Sequence, residues 1–132
     1  MRTFLLLLGA ALLGACSSRS DNNPGAVPAG TWRVTLFSER GDDETGDFSG
    51  YVFTFSSGGA VTAVRSGSSK PGTWSLNSNN TRFDIDFGEK TDANKPLGEL
   101  TDNWKVLAIT GTEIRLTDDN ASSEEFLTFT KN

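Results

Sequence analysis

Apolar and polar side chains alternate along most of the chain that follows Gly30. In the first segment the apolar residues Trp32, Val34 and Leu36 occupy every second position, and a similar pattern recurs further on. A period of two places successive side chains on opposite faces of a strand, so such segments predict half-buried β-strands. The eight predicted strands are 31–36, 51–55, 60–66, 72–77, 82–87, 103–110, 112–117 and 125–131.

The predicted strands are joined mostly by short turn-forming stretches such as Ser57-Gly58-Gly59 and Thr110-Gly111. Short links favour antiparallel neighbours, and the simplest topology is an up-and-down meander. After the N-terminal segment no long stretch has a helical period, although residues 93–100 could form one helical turn. Eight strands with one apolar face each can close on themselves and remove the sheet edges. We therefore expect an all-β fold, an eight-stranded antiparallel up-and-down barrel, with a two-sheet sandwich as the alternative.

The N-terminus has the pattern of an export signal. Arg2 is followed by an apolar run over residues 4–13, which is too short to span a bilayer as a stable helix. The run ends in Leu13-Gly14-Ala15-Cys16, which resembles the lipobox of bacterial lipoproteins. That resemblance implies cleavage before Cys16, acylation of Cys16 with lipid such as palmitate, and a mature protein anchored to a membrane of the cell envelope. Ser17 in the next position is similar to lipoproteins sorted to the outer membrane.

This interpretation divides the chain into three parts. Residues 1–15 are the signal-peptide helix, residues 16–29 are the lipidated cysteine and a flexible tether rich in Ser, Asn, Pro and Gly, and residues 30–132 are the barrel domain.

Three sequence features of the barrel domain resemble a known family. Gly30-Thr31-Trp32 is similar to the Gly-x-Trp start of lipocalins, and Gly72-Thr73-Trp74 repeats it. Together with the strand 51–55 and the final strand 127–131, they make the region 30–132 resemble the lipocalin-like domains of Bacteroidota lipoproteins. The resemblance implies a barrel whose first tryptophan closes one end. The chain departs from lipocalins in the final strand, where Lys131 stands at an inward position and no arginine is present.

The residue types exclude most catalytic sites. The chain has no histidine and a single cysteine, which removes Ser-His-Asp and Cys-His catalysis and all metal sites built on those ligands. Asp84 and Asp86 lie about 7 Å apart along one strand, a spacing compatible with a glycosidase pair. Their alternation with Phe83 and Ile85 turns them outward, so we interpret them as a hydrated face. The sequence thus predicts no enzyme and no cofactor.

Acidic residues dominate the charged positions. The net charge is −5 and no basic stretch could follow phosphates, so nucleic-acid binding is not expected. Five carboxylates fall in the loop 39–47, where oxygen ligands could hold Ca²⁺, but their spacing does not match an EF-hand loop. We interpret this loop as hydrated and predict no metal site in it.

The aromatic residues suggest two kinds of binding function. An eight-stranded barrel is just wide enough to be filled by side chains or to hold one small ligand. If a pocket is present, a small apolar ligand would contact Trp32, Tyr51, Phe53, Phe55, Trp74 and Trp104. In the alternative the rings fill the interior, and the barrel contacts another envelope protein through outward-facing apolar residues. The candidates for that outer patch are Phe37, Val52, Val64, Leu107, Ile109 and Phe126.

Overall fold

The described part of the protein folds into one sheet that closes on itself. The structure is a computed structural model, and it describes residues 27–132. The signal peptide, Cys16 and most of the predicted tether lie outside the described residues. The strands are β1 (Thr31–Glu39), β2 (Asp42–Asp43), β3 (Val52–Phe55), β4 (Ala60–Arg65), β5 (Ser68–Leu76), β6 (Arg82–Asp86), β7 (Asp102–Ile109), β8 (Glu113–Asp118) and β9 (Glu125–Lys131).

Strand pairing closes the barrel between its first and last strands. Every neighbouring pair is antiparallel, in the order β1-β3-β4-β5-β6-β7-β8-β9, and β9 pairs again with β1. The register at this seam runs from Trp32 opposite Lys131 to Glu39 opposite Glu125. β2 is a two-residue addition to the end of β1. The predicted closed, eight-stranded, antiparallel up-and-down barrel is therefore confirmed.

Aromatic rings fill the middle of the barrel. Phe55 lies at the centre of this packing, with its ring centroid 5.2 Å from that of Phe129, 5.6 Å from Phe83 and 5.7 Å from Trp74. The contacts are edge-to-face, a favoured geometry for aromatic pairs. Val27 joins the same buried cluster, so the packed part of the chain extends before β1.

Two β-bulges reverse the predicted side-chain direction near the ends of β1 and β7. The register of β1 against β9 shifts between Val34 and Leu36, which places Phe37 opposite the buried Leu127. Phe37 is fully buried and Leu36 is 37% exposed, so the predictions that Phe37 faces outward and Leu36 inward are wrong. Because a bulge inserts one extra residue, every later side chain changes face.

The same effect occurs in β7. Its register against β8 shifts between Val106 and Ala108, so that Ile109 lies opposite the buried Ile114. Ile109 packs against the core, and its predicted place in the outer patch is also wrong.

The strand ends that include Glu39, Arg65, Asp102 and Glu125 form one end of the barrel, called here the upper rim. The longest connection, residues 88–101, crosses this rim from β6 to β7 and is called here the cap segment. It contains two one-turn 3₁₀ helices, Asp92–Asn94 and Leu97–Leu100. Leu97 and Leu100 are buried in the core below. The predicted single helical turn over 93–100 is thus two short 3₁₀ turns.

Candidate functional site

Five of the six predicted ligand-binding rings lie in the packed core. Trp32, Phe53 and Trp104 are fully buried, and Phe55 and Trp74 are nearly so. Two of the indole groups are satisfied inside the protein: Trp74 Nε1 donates to the carbonyl of Ser56 at 2.8 Å, and Trp104 Nε1 donates to that of Leu100 at 2.9 Å. The structure brings these rings together as neighbours of one another. Ligand binding by them stays a prediction.

Tyr51, the sixth ring, lies at the upper rim beside a surface cleft. The cleft has a volume of about 440 Å³ and is bounded by β4, β5 and the cap segment. Polar and cationic side chains dominate its walls. The lining residues are Tyr51, Ala63, Arg65, Ser66, Ser68, Ser69, Lys70, Ala93, Asn94, Lys95 and Leu97.

Arg65 is held in place at one side of the cleft. Its guanidinium carbon lies 4.0 Å from the centre of the Tyr51 ring, a cation–π contact. The same guanidinium donates to the carbonyls of Asp47 and Ser49, each at 3.3 Å. Because these contacts occupy only part of the guanidinium, which has five N–H donors, others are available to a ligand.

Lys70 and Asn94 connect the barrel wall to the cap segment on the other side of the cleft. Lys70 Nζ donates to Asn94 Oδ1 at 2.7 Å. The amide nitrogen of Asn94 donates in turn to the carbonyls of Phe87 and Glu89, at 3.1 Å and 2.9 Å. The Asn94 side chain is therefore fixed from both of its ends, and it positions the lysine ammonium over the cleft.

The charge of the cleft is opposite to that of the chain. Arg65, Lys70 and Lys95 line it, and none of its described lining residues is acidic, although the net charge of the chain is −5. The Lys95 ammonium also pairs with the carboxylate of Asp92 at 3.4 Å, so Arg65 and Lys70 supply most of the uncompensated positive charge. Clustered cations in a concave surface concentrate positive potential there. This cleft therefore favours a small anion.

A second group of charged residues lies beside this cleft at the upper rim, with Lys95 shared between the two. A smaller cleft of about 110 Å³ is lined there by Glu39, Lys90, Thr91, Asp92, Lys95, Glu99 and Glu125. Burial, followed by the neighbouring Glu39 carboxyl group, raises the pKa of Glu125 to about 8. Burial also raises the pKa of Glu99, in the cap segment, and nearby carboxylates contribute to that rise.

The two acidic features singled out in the sequence have local explanations. Asp84 and Asp86 alternate with the buried Phe83 and Ile85, as predicted, which places them on the outer face of β6. In the loop 39–47, the carboxylate of Asp43 accepts hydrogen bonds from the backbone and hydroxyl of Thr45, and these bonds lower the pKa of Asp43.

Comparisons with known proteins support the fold. No family model matches the chain, and neither does any curated protein. A crystal structure of a DUF4847 family protein from Bacteroides vulgatus is similar, with a TM-score of 0.58, 17% identity, and coverage of 79% of this chain and 93% of that one. An uncharacterized protein from Bacteroides eggerthii is also similar, with a TM-score of 0.56, 16% identity, and coverage of 79% and 98%.

These similarities agree with the closed eight-stranded barrel described above. Identities this low support a shared fold alone. The lipobox and the Gly-x-Trp signature stay predictions, and among residues 27–132 no helix is apolar and long enough to cross a bilayer.

Apart from Tyr51, the residues of the cleft were not predicted from the sequence. Arg65, Lys70 and Asn94 are separate polar residues with no motif between them, and they meet only because the cap segment folds across the rim. Asp102, Asp118 and Glu125 lie close together at the same rim, and two of them could have been noticed from the sequence. Asp118 and Glu125 stand two residues from the buried Leu116 and Leu127, which gives both of them inward-facing positions.

Proposed function

We propose that this chain is a non-catalytic, lipid-anchored binding protein of the bacterial cell envelope, and that its cationic cleft binds a small organic anion. The observation that carries the proposal is the convergence of Arg65, Lys70 and Lys95 around a concave surface in an acidic protein. An arginine and two lysines suit a carboxylate, sulfonate or phosphate group. The half-buried ring of Tyr51 and the exposed Ala93 supply apolar surface for the rest of such a ligand.

The packing of the barrel favours this cleft over the interior as the binding site. Edge-to-face ring contacts run through the middle of the barrel, so an apolar ligand there would have to displace core side chains. The cleft needs no such rearrangement. The apolar-ligand hypothesis is therefore replaced by an anionic ligand with a small apolar part.

The anchor is proposed from the sequence alone. Cys16 follows a short apolar run and small residues, as in lipoprotein precursors, and Ser17 is consistent with sorting to the outer membrane. Cys16→Ala should abolish labelling of the expressed protein by radioactive palmitate. If the label persisted in this variant, the anchor assignment would be wrong.

Binding in the cleft can be tested with a fluorescent aromatic sulfonate, anilinonaphthalene sulfonate, titrated into the full chain in detergent. Arg65→Met and Lys70→Met each remove one positive charge from the cleft, and each should weaken binding by roughly tenfold, which corresponds to one charge-assisted hydrogen bond. Lys105→Met removes an equal charge from the exposed face of β7 and serves as the control. Equal affinities in all three variants would exclude the cleft, and native mass spectrometry of the wild-type chain can then identify any co-purified ligand.

A second candidate function is supported by the outer surface. Four apolar side chains on adjacent strands are each 37–40% exposed. In the order of the sheet they are Phe126 in β9, Leu36 in β1, Val52 in β3 and Val64 in β4. Val52 and Val64 are direct cross-strand partners. Exposed apolar side chains on neighbouring strands are typical of protein contacts. If Val64→Asp abolished cross-linking to an envelope protein while sulfonate binding stayed normal, the barrel would have a protein partner as well.

A further inference from the structure

The cap segment contributes residues to both clefts of the upper rim. Asn94 and Leu97 line the cationic cleft, Thr91 and Glu99 line the smaller cleft beside it, and Lys95 lines both. A movement of this segment would therefore change the two clefts together. The groups that hold the segment on the side of the smaller cleft decide whether the cationic cleft keeps its shape.

Two carboxyl groups of the barrel share a proton on that side. Glu39 and Glu125 are opposite each other across the seam, and their side chains are hydrogen-bonded. An ionised carboxylate can only accept hydrogen bonds, so this bond exists only while one of the two groups holds a proton. Glu125 is 5% exposed. Burial, followed by the bond to Glu39, raises the pKa of Glu125 to about 8, so the proton is kept at neutral pH.

The cap segment meets this carboxyl pair through a third acid. Carboxylate oxygens of Glu99, Glu39 and Glu44 lie within 4.8 Å of one another. Burial raises the pKa of Glu99, against the opposing effect of Lys95. Carboxyl groups this close repel one another when they are ionised. The contact of the cap segment with the rim therefore weakens when the pair loses its proton.

Most of the charged groups that face the carboxyl pair and Glu99 are acidic. They are Asp102 in β7, Asp118 in β8, Asp42 in β2, Glu44 and Asp47 in the connection to β3, and Lys90, Asp92 and Lys95 in the cap segment. Lys90 already pairs with Asp102 at 3.2 Å, and Lys95 with Asp92 at 3.4 Å. The charge that appears when the pair loses its proton is therefore not neutralised locally.

A chain of close contacts connects Glu99 to the cationic cleft. Its neighbour Gly98 is packed so tightly against Asn94 that an added Cβ atom would lie 2.8 Å from the amide nitrogen of Asn94. Asn94 Oδ1 accepts a hydrogen bond of 2.7 Å from Lys70 Nζ. If Glu99 moved away from the rim, Asn94 would move with it, and Lys70 would lose its fixed position in the cleft.

We propose that anion binding in the cationic cleft is regulated by pH: the proton shared by Glu39 and Glu125 keeps the cap segment on the rim, and its loss loosens the segment and weakens binding. This inference rests on the proposed function, which supplies the anion. A second effect has the same sign, because the new negative charge lies beside Lys95, which lines both clefts. Affinity should be highest below about pH 8 and fall as the pH rises further.

The test is a titration with anilinonaphthalene sulfonate at pH 6.5 and pH 9.0, with the full chain in detergent. The sulfonate keeps its charge throughout this range. Wild-type affinity should fall at least about fivefold between the two pH values, a coupling of ordinary size between two sites. Glu125→Gln has no proton to lose, so it should keep the affinity that the wild type has at pH 6.5. An equal fall in both proteins, or no fall in the wild type, would overturn the proposal.

Two further variants control for folding and for charge. Glu99→Gln removes the acid by which the cap segment meets the pair, and it should reduce the fall in affinity even if Glu125→Gln does not fold. Glu89→Gln removes an equal charge from an exposed position of the cap segment that does not line either cleft, so it should keep the wild-type dependence on pH. If Glu89→Gln and Glu99→Gln behaved alike, general charge would explain the effect and the proposal would be wrong.

Limited digestion with trypsin reports on the cap segment without any ligand. Lys90 lies in this segment, and cleavage after it requires the local backbone to open. At pH 9.0 cleavage there should be at least about fivefold faster in the wild type than in Glu125→Gln, whereas at pH 7.0 the two should be equal. Equal rates at pH 9.0 would reject the role of the carboxyl pair. If instead the sulfonate failed to bind at pH 6.5 while the digestion behaved as expected, the proposed function would fail and the proton-dependent cap segment would stand.

Discussion

Glu39 and Glu125 face each other across the seam at which the last strand of the barrel pairs with the first. Glu125 is 5% exposed, and its pKa is raised to about 8 from an ordinary value of 4.5. The first cause is burial, which disfavours the ionised form, and the second is the carboxyl group of Glu39. Lys90 lowers the pKa of Glu125, but by too little to cancel the effect of burial. The Asp118 carboxylate raises that pKa further.

This relationship predicts how the free energy of unfolding depends on pH. Between about pH 4.5 and pH 8 the folded protein keeps a proton on Glu125 that the unfolded chain has lost. The free energy of unfolding should therefore be highest below pH 4.5 and fall as the pH rises to 8, with a slope of at most about 1.4 kcal/mol per pH unit from this group. Urea unfolding at several pH values measures the slope.

Glu125→Gln replaces the titrating carboxyl group with an amide, which does not titrate. The dependence of the unfolding free energy on pH should therefore become flatter in this variant. Glu113→Gln, at the opposite end of the barrel, should leave the slope as it is in the wild type. An unchanged slope in Glu125→Gln would show that another group controls the dependence of stability on pH between 4.5 and 8.

The bulge in β1 predicts losses of stability of very different size for two neighbouring residues. Phe37→Ala empties a fully buried position and should lower the free energy of unfolding by about 3 to 5 kcal/mol. Leu36→Ala alters a side chain that is 37% exposed, and it should cost less than about 1 kcal/mol. Chemical denaturation of the two variants compares them directly. The reverse order would mean that β1 continues without a bulge.

These two residues also show the limit of prediction from the sequence. The alternation in segments such as Phe83 to Phe87 could be predicted because a strand repeats every two residues. A bulge shifts that alternation by one and has no clear sequence signal in Val34-Thr35-Leu36, so the side of Phe37 was predicted wrongly. The prediction of eight strands and of a closed topology did not depend on Phe37, because the alternation of the other inward-facing residues was sufficient to identify the strands.

The site was less predictable than the fold for a different reason. The cationic cleft depends on the cap segment bringing Asn94 to Lys70, a contact between residues 24 positions apart with no shared pattern. Sequence periodicity describes single strands and carries no information on how an irregular connection crosses a rim. The acidic residues at the upper rim were partly predictable. The inward position of Glu125 follows from its spacing to Leu127, whereas its acidic neighbours come from other strands and have no shared sequence pattern with it.

The cap segment should be sensitive to added volume at Gly98. A Cβ atom there would lie 2.5 Å from the carbonyl oxygen of Glu89 and 2.8 Å from the amide nitrogen of Asn94, so the segment would have to move. Gly98→Ala is expected to cost about 1 to 3 kcal/mol. Gly46 occupies a comparable one-turn 3₁₀ helix and has open space around it, so Gly46→Ala should change stability by less than about 0.5 kcal/mol. Thermal unfolding of both variants distinguishes a packed cap segment from a loose one, in which the two substitutions would be equivalent.

Asn94 is expected to couple the cap segment to the anion cleft. Asn94→Ala removes the acceptor of the Lys70 ammonium and the donor to the carbonyls of Phe87 and Glu89. The loss of these bonds should cost about 1 to 3 kcal/mol of stability, and the released Lys70 should bind anilinonaphthalene sulfonate less tightly because it is no longer oriented. Asn103→Ala, on the exposed face of β7, should change neither property. If Asn94→Ala lost stability but kept full affinity, Lys70 would not depend on Asn94 for its position, and the cleft would act as a diffuse positive surface.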